Sequence, residues 1–158
     1  MLSFDWEAVK EIYELGIATG NATFETSAPS YESWDAAHLK FGRLVCTIDE
    51  KIAGWTAISA VSSRCVYGGV AEVSIYVHPN FQKMGVGKSL LKVLISESEK
   101  NNIWTLQAGI FPENESSIAL HQKLGFRIIG FRERVGKLHG VWRDTLQLER
   151  RSNAVGID

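Results

Sequence analysis

The order of hydrophobic patterns predicts an α+β fold, with helices and strands layered around one sheet in a single domain. Three observations carry this. The chain has 158 residues, the size of one domain with one core. The segment VAEVSIYVHP, residues 70 to 79, puts Val73, Ile75 and Val77 on one face and Glu72, Ser74, Tyr76 and His78 on the other, the period of a strand. Beyond it, Leu90, Leu91, Leu94 and Ile95 recur at i, i+1, i+4 and i+5, the stripe of a helix lying on a sheet.

The remaining elements follow in order. From Asp5 to Ala18, Val9, Ile12, Tyr13 and Ile17 fall at helical spacing, with Asp5 placed to cap. Ser30 opens a second helix carrying Trp34, Ala37 and Leu39, after Pro29 turns the chain away from helix. RLVCTI and IAGWTAISA read as a hairpin about Asp49, Glu50 and Lys51, followed by a loop over 62–69. IWTLQAGIF is a strand, Asn114 caps a helix that Gly125 closes, and FRIIGFRER and VWRDTLQLE form a last antiparallel pair. One domain is expected over 1–150, with residues 151–158 as a frayed tail.

Composition excludes several classes of function. Hydrophobic residues make up 45% and charged residues 22%, with no apolar run long enough to cross a bilayer, so the chain reads as soluble and cytoplasmic. Seventeen Lys and Arg against eighteen Asp and Glu leave a net charge of -1, no field for nucleic acid or an anionic membrane. Cys46 and Cys65 form no CxxC pair and are expected to be reduced core thiols; no metal site is expected. The expected partner is a small molecule.

The stretch NFQKMGVGKSLLKVLI carries the chemistry. It ends a strand and opens a helix, and it contains Gly-Lys-Ser, the end of a nucleotide phosphate loop. The full pattern needs a glycine five residues before Gly87, where Gln82 stands, and the dinucleotide fingerprint fails because residue 90 is Leu. Unpaired amides and the helix dipole still suit a phosphate, Gly85 and Gly87 allow close approach, and Lys83 and Lys88 add positive charge.

VHPNFQKMGVGKSLL resembles motif A of the GNAT N-acetyltransferases, Gln-x-x-Gly-x-Gly at Gln82, Gly85 and Gly87. NESSIALHQKLGF resembles motif B of that family. TGNATFET, AEVSIYV and KLHGVWRD together are similar to its phosphinothricin N-acetyltransferase branch, so the resemblance spans about residues 6 to 148. It implies a mostly antiparallel, twisted sheet with two splayed strands and flanking helices. It also implies acetyl-CoA as co-substrate, a small amine as acceptor, and a homodimer. The family opens with a strand before its first helix; only Met1 to Phe4 precede the helix here, so that strand is expected to be short or missing, leaving a sheet edge less covered.

Residue by residue, the resemblance implies that the coenzyme pyrophosphate is held by Gln82, Lys83, Met84, Gly85, Val86, Gly87 and Lys88. The pantetheine arm pairs with the backbone of Ile75, Tyr76 and Val77, an N–H near Val77 polarises the thioester carbonyl, and Asn114 and Ser117 meet the coenzyme at a helix start. The acceptor wall falls to Phe24, Glu25, Trp55, Arg64 and Tyr67, with Arg64 able to hold a carboxylate. His139 matches a histidine near the acceptor pocket. His121 stands where many relatives carry a tyrosine general acid.

Glu72 is the candidate base. An α-amine with a pKa near ~8 is mostly protonated at neutral pH, so attack on a thioester gains from a proton acceptor. Glu72 lies on the polar face of the strand leading into the coenzyme loop, and the matching Glu of the branch is its proposed base. The implied reaction is direct acetyl transfer to the α-amine of a small amino acid or analogue of the phosphinothricin, methionine sulfone or methionine sulfoximine type. Alternatives are another amine, either a polyamine or a protein N-terminus, and a coenzyme-binding module without catalysis.

Overall fold

A computed structural model of the chain describes residues 1 to 157. Helices α1 (Trp6–Ala18) and α2 (Tyr31–Ala37) are followed by strands β1 (Leu44–Ile48), β2 (Lys51–Ala60) and β3 (Val70–Val77). Then come α3 (Val86–Lys100), β4 (Thr105–Ile110), α4 (Glu115–Lys123), β5 (Arg127–Leu138) and β6 (Val141–Arg151). The element order and the mixed α/β layers agree with the sequence reading. Among the described residues no strand precedes α1; Ser3–Asp5 is a single 3-10 turn.

The six strands form one sheet in the order β1-β2-β3-β4-β6-β5, antiparallel except between β3 and β4. Both hairpins turn on two residues of positive φ, Asp49 and Glu50 in one and His139 and Gly140 in the other, the turn whose twist matches a twisted strand pair. On one face α1 and α2 bury Trp6, Val9, Ile12 and Trp34 against Trp55 and Ala57. On the other, α3 buries Leu91, Leu94 and Ile95 against Ile58, Ala71, Leu106 and Leu148. Each such Leu or Ile side chain contributes roughly 1.5–3 kcal/mol through area removed from water. Val73 and Ile75 pack on the α3 side and Tyr76 on the α1 side, the alternation read from the sequence.

Four local expectations change. Asp5 stands at the N-cap of α1 without capping it, because its Oδ2 accepts from the Leu2 N–H instead. The second helix stops at Ala37, and Leu39 lies beyond it with its N–H donated to Ile58 O. Neither cysteine is a fully buried core thiol: Cys46 is half-buried on the edge strand β1 and Cys65 is exposed in the 62–69 loop. Past Arg151 the chain runs back along the body. Ser152 is buried, its N–H donates to Trp104 O, and the Arg151 guanidinium donates to Trp104 O and Val155 O.

Candidate active site

The sheet opens where β3 and β4 diverge. They pair only at Val70, Ala71 and Glu72 opposite Thr105, Leu106 and Gln107, after which β4 stays with β6 and β3 with β2. The register decides which backbone groups face the opening. The His78 N–H donates to Ala53 O, so by alternation Tyr76 and Ser74 also turn their backbone groups to β2, whereas Val73, Ile75 and Val77 turn theirs to the gap. Of the three strand residues expected to meet a pantetheine arm, Ile75 and Val77 present free backbone; the Tyr76 groups are engaged by β2.

At the end of β3 the chain turns through Pro79–Phe81 into α3. Gly85 is the helix N-cap, in the left-handed region at φ 83°, and no side chain caps the first turn, which leaves its amides available. Gln82, Lys83, Met84 and Lys88 are exposed around that turn, and Val86 is buried against Leu90 as the anchor. Open amides, the dipole and two lysines fit a pyrophosphate. A Cβ added at Gly85 meets no other atom within 4 Å, so it would stand in the open space beside the first turn. Gly85→Ala is expected to cost roughly 1 kcal/mol of stability for the left-handed backbone. By displacing one amide bond to phosphate it should raise the KM for acetyl-CoA roughly tenfold or more, with the acceptor KM unchanged.

Asn114 caps α4: its Oδ1 accepts from the Ser117 N–H at 3.2 Å, while its Nδ2 donates to Asn21 O at 3.1 Å. Ser117 is half-buried one turn in, and its carbonyl accepts from His121 Nδ1 at 2.8 Å. His121 is 2% exposed, stacks edge-on against Phe126, and has no partner at Nε2. A carbonyl only accepts, so Nδ1 carries the proton and Nε2 is bare in the neutral ring. Burial pushes the imidazole below its ordinary 6.5. His38, largely buried and bonded through Nδ1 to Trp34 O, is shifted the same way for the same leading reason. Both rings are neutral in the fold and gain protons more readily when unfolded, so their stabilising effect is complete above pH 6.5 and is lost as pH falls below it. Thermal midpoints measured between pH 7.5 and 5 should therefore fall, and His121→Asn should flatten part of that slope.

On the α1 side of the gap lies a cleft of about 750 Å³. Glu72 on β3, Gln107 on β4, Arg132 on β5, Thr145 and Gln147 on β6, and Phe24 from the α1–α2 segment line it. Glu72 is exposed and its carboxylate lies beside Gly109, where an added Cβ would sit 3.5 Å from Oε1. Among the described residues neither Glu72 nor Arg132 is engaged in a hydrogen bond or ion pair with another side chain. Arg132 owes its place to an irregularity. β5 advances two residues from Ile128 to Gly130 while β6 advances one from Leu148 to Gln147, which carries Gly130 and Arg132 to the cleft face; a second excess, between Arg132 and Gly136 opposite Thr145 and Arg143, is held by Asp144, whose Oδ1 accepts from the Arg134 N–H at 2.7 Å.

The structure brings Glu72 and Phe24 together in this cleft. Arg64, Tyr67 and His139 are not among its lining residues: Arg64 stacks on Tyr67 at 5.6 Å in the exposed loop, and His139 is exposed at the tip of the β5–β6 hairpin with φ 48°. Glu25 and Trp55 line a smaller neighbouring cavity of about 210 Å³ with Tyr13 and Trp34. Sequence reading missed Arg132, Gln107, Thr145 and Gln147. Gln107, Thr145 and Gln147 alternate with Leu106, Ala108, Leu146 and Leu148, which pack on the α3 side, and nothing local distinguishes the polar set from an ordinary solvated sheet face.

Residues 6–126 match the family model for the GNAT acetyltransferases, "Acetyltransferase (GNAT) family". The chain belongs to the GNAT acetyltransferase family. It is 31% identical over 162 residues to the L-amino acid N-acyltransferase MnaT of Escherichia coli (strain K12), covering 97% of this chain and 94% of that one. It is 30% identical over 145 residues to the L-methionine sulfoximine/L-methionine sulfone acetyltransferase of Salmonella typhimurium, covering 89% and 85%. Among solved structures, a GNAT phosphinothricin acetyltransferase of Sinorhizobium meliloti in complex with AcCoA superposes with a TM-score of 0.89 at 28% identity, over 100% of this chain and 89% of that one. This GNAT chain is thus an N-acetyltransferase of the phosphinothricin-acetyltransferase-like branch, with acetyl-CoA as its co-substrate. Among the described residues no cluster of His, Cys, Asp or Glu is arranged to hold a metal, and no helix is long and apolar enough to cross a membrane.

Proposed function

We propose that the enzyme acetylates the α-amino group of a small amino acid or amino-acid analogue, of the phosphinothricin, methionine sulfone or methionine sulfoximine type, by direct transfer in a ternary complex. The observation that carries this is the cleft itself, where an unpaired carboxylate, Glu72, and an unpaired guanidinium, Arg132, share one cavity of about 750 Å³ with Phe24 as an apolar wall. An α-amino acid offers an ammonium and a carboxylate, which such a pair complements; a polyamine offers only cations, which Arg132 repels. The named relatives act on acceptors of that class.

In this mechanism Glu72 takes a proton from the acceptor ammonium, directly or through water, and the freed lone pair attacks the thioester carbonyl. The Val77 N–H, facing the gap, donates to the carbonyl oxygen as charge develops there, a contribution of ~3 kcal/mol when well aligned. The N–C bond forms, the C–S bond breaks and expels the coenzyme as thiolate, and the second proton shed by the nitrogen passes to solvent or to that thiolate. A thiolate of pKa near ~8.5 departs without an acid, which agrees with a buried His121 whose Nε2 is bare. Gln82 to Lys88, with Asn114 and Ser117, hold the coenzyme. His139 and Arg64, expected at the acceptor, have no part in this reading.

A homodimer belongs to the same proposal. β5 is an edge strand, and Ile128, Ile129, Phe131, Val141 and Trp142 are exposed on it and its neighbour β6. Light scattering should return twice the mass of one chain, and Phe131→Glu should return a single one.

The reading is tested by free-thiol release from acetyl-CoA against phosphinothricin, methionine sulfone, methionine sulfoximine, the standard amino acids, spermidine and a short peptide. Turnover on an α-amino acid or analogue is expected. Turnover confined to spermidine or the peptide would overturn it.

A further inference from the structure

The wall residue Phe24 belongs to a segment without helix or strand between α1 and α2, yet that segment is fastened to the rest of the molecule. The fastening converges on Arg143 of β6. Its Nη1 donates to Gly20 O at 2.9 Å, and its Nη2 donates to Asn21 Oδ1 at 3.3 Å and Glu113 Oε2 at 3.2 Å. The guanidinium carbon lies 4.1 Å from the centre of the Phe111 ring, and that ring meets Phe24 edge-on at 4.8 Å. Asn114 adds the bond from its Nδ2 to Asn21 O. One side chain thus joins the segment, the end of β4 and the approach to α4. Strand alternation sets Arg143 on the same face of β6 as Thr145 and Gln147, which line the cleft. With 18% of its side chain exposed, its donors are largely withdrawn from water, where charge-assisted bonds are strongest.

Phe24 cannot place itself. Its ring packs over Gly136, where an added Cβ would come within 2.9 Å of it, so the contact tolerates little displacement of the segment. We propose that Arg143 is a positioning residue for the acceptor: it ties residues 19–29 to the approach to α4 and thereby holds Phe24 as the wall of the cleft opposite Glu72. The inference rests on the acetyltransferase reading, with the cleft as acceptor site. The coenzyme loop on α3 makes none of these contacts, and Asn114, which does, keeps its cap on the Ser117 N–H independently of Arg143, so the larger effect falls on the acceptor. A positioning fault of about 1 Å can cost up to roughly a hundredfold in rate.

Two readouts on Arg143→Met and Arg143→Lys test it. Hydrogen exchange at residues 20 to 25 should accelerate tenfold or more in Arg143→Met, with α3 unchanged. The acceptor KM should rise roughly ten- to a hundredfold, with the dissociation constant for acetyl-CoA within twofold of wild type. Arg143→Lys, which keeps the charge and can reach one acceptor, should fall between. If Arg143→Met does not fold, the Lys variant carries the same comparison. Unchanged exchange overturns the tie; faster exchange with an unchanged acceptor KM, or an equal loss of both substrates, overturns the positioning role. If the wild-type enzyme turns over no amino acid or analogue, the acceptor reading falls and takes the positioning role with it, while the exchange data still decide whether Arg143 fastens the segment.

Discussion

Replacing Glu72 by Gln is expected to lower kcat/KM for the acceptor by about 10²- to 10⁴-fold, the range that a positioned base contributes. The substitution keeps the shape and removes only the proton acceptor. The Glu72 side chain is exposed and its carboxylate makes no hydrogen bond or ion pair among the described residues, so the thermal midpoint should not move and a loss of rate cannot be assigned to unfolding. The pH profile separates a base from a binding group. With the carboxylate gone, only acceptor already deprotonated by solvent can attack, so the residual rate should climb about tenfold per pH unit up to the amine pKa near ~8. A rate at saturating acetyl-CoA equal to wild type across pH would show that Glu72 is not the base.

Arg132→Met should raise the acceptor KM roughly ten- to a hundredfold, since a charge-assisted bond to a carboxylate contributes about 1.5–3 kcal/mol. Arg132→Lys should recover only part, because an ammonium cannot reproduce a two-pronged contact. The decarboxylated analogue of the best acceptor makes the control. It should react poorly with wild type and lose nothing further in Arg132→Met. The same truncation at Arg64 decides between the cleft and the loop: a loss there, with none at Arg132, would return carboxylate binding to the loop that sequence similarity favoured.

Much of this molecule is legible in its sequence. The α3 stripe, the alternation of β3, the Ser30 and Asn114 caps and the glycine pair at 85 and 87 each follow from contacts within one turn or one pleat, and each is present. The coenzyme loop is a local construction of strand, turn and helix N-terminus, so its candidate residues can be named without a fold. The acceptor site is different. Glu72 was found because its strand runs directly into the glycine loop; Arg132 was not, because its strand lies at the far edge of the sheet and only a bulge aims it inward. Cys65 was misjudged in the same way, and His139 lies outside the cleft for the same reason. Their residue types suggest a core thiol and a site histidine, but both sit on turns that carry them to the surface.

By itself, the sequence determined the order of elements, the layered α/β class, the family resemblance and the phosphate cradle, since all of these are written in periodicities and short spacings. Tertiary structure decided which backbone groups face the gap between β3 and β4, which guanidinium stands opposite Glu72, and how Phe24 is held there by Arg143 from more than a hundred residues away, through a bond at a separation of 123. The physical reason is that strand register and sheet order, set by packing the whole core at once, convert distant positions into neighbours, and no local pattern records that choice.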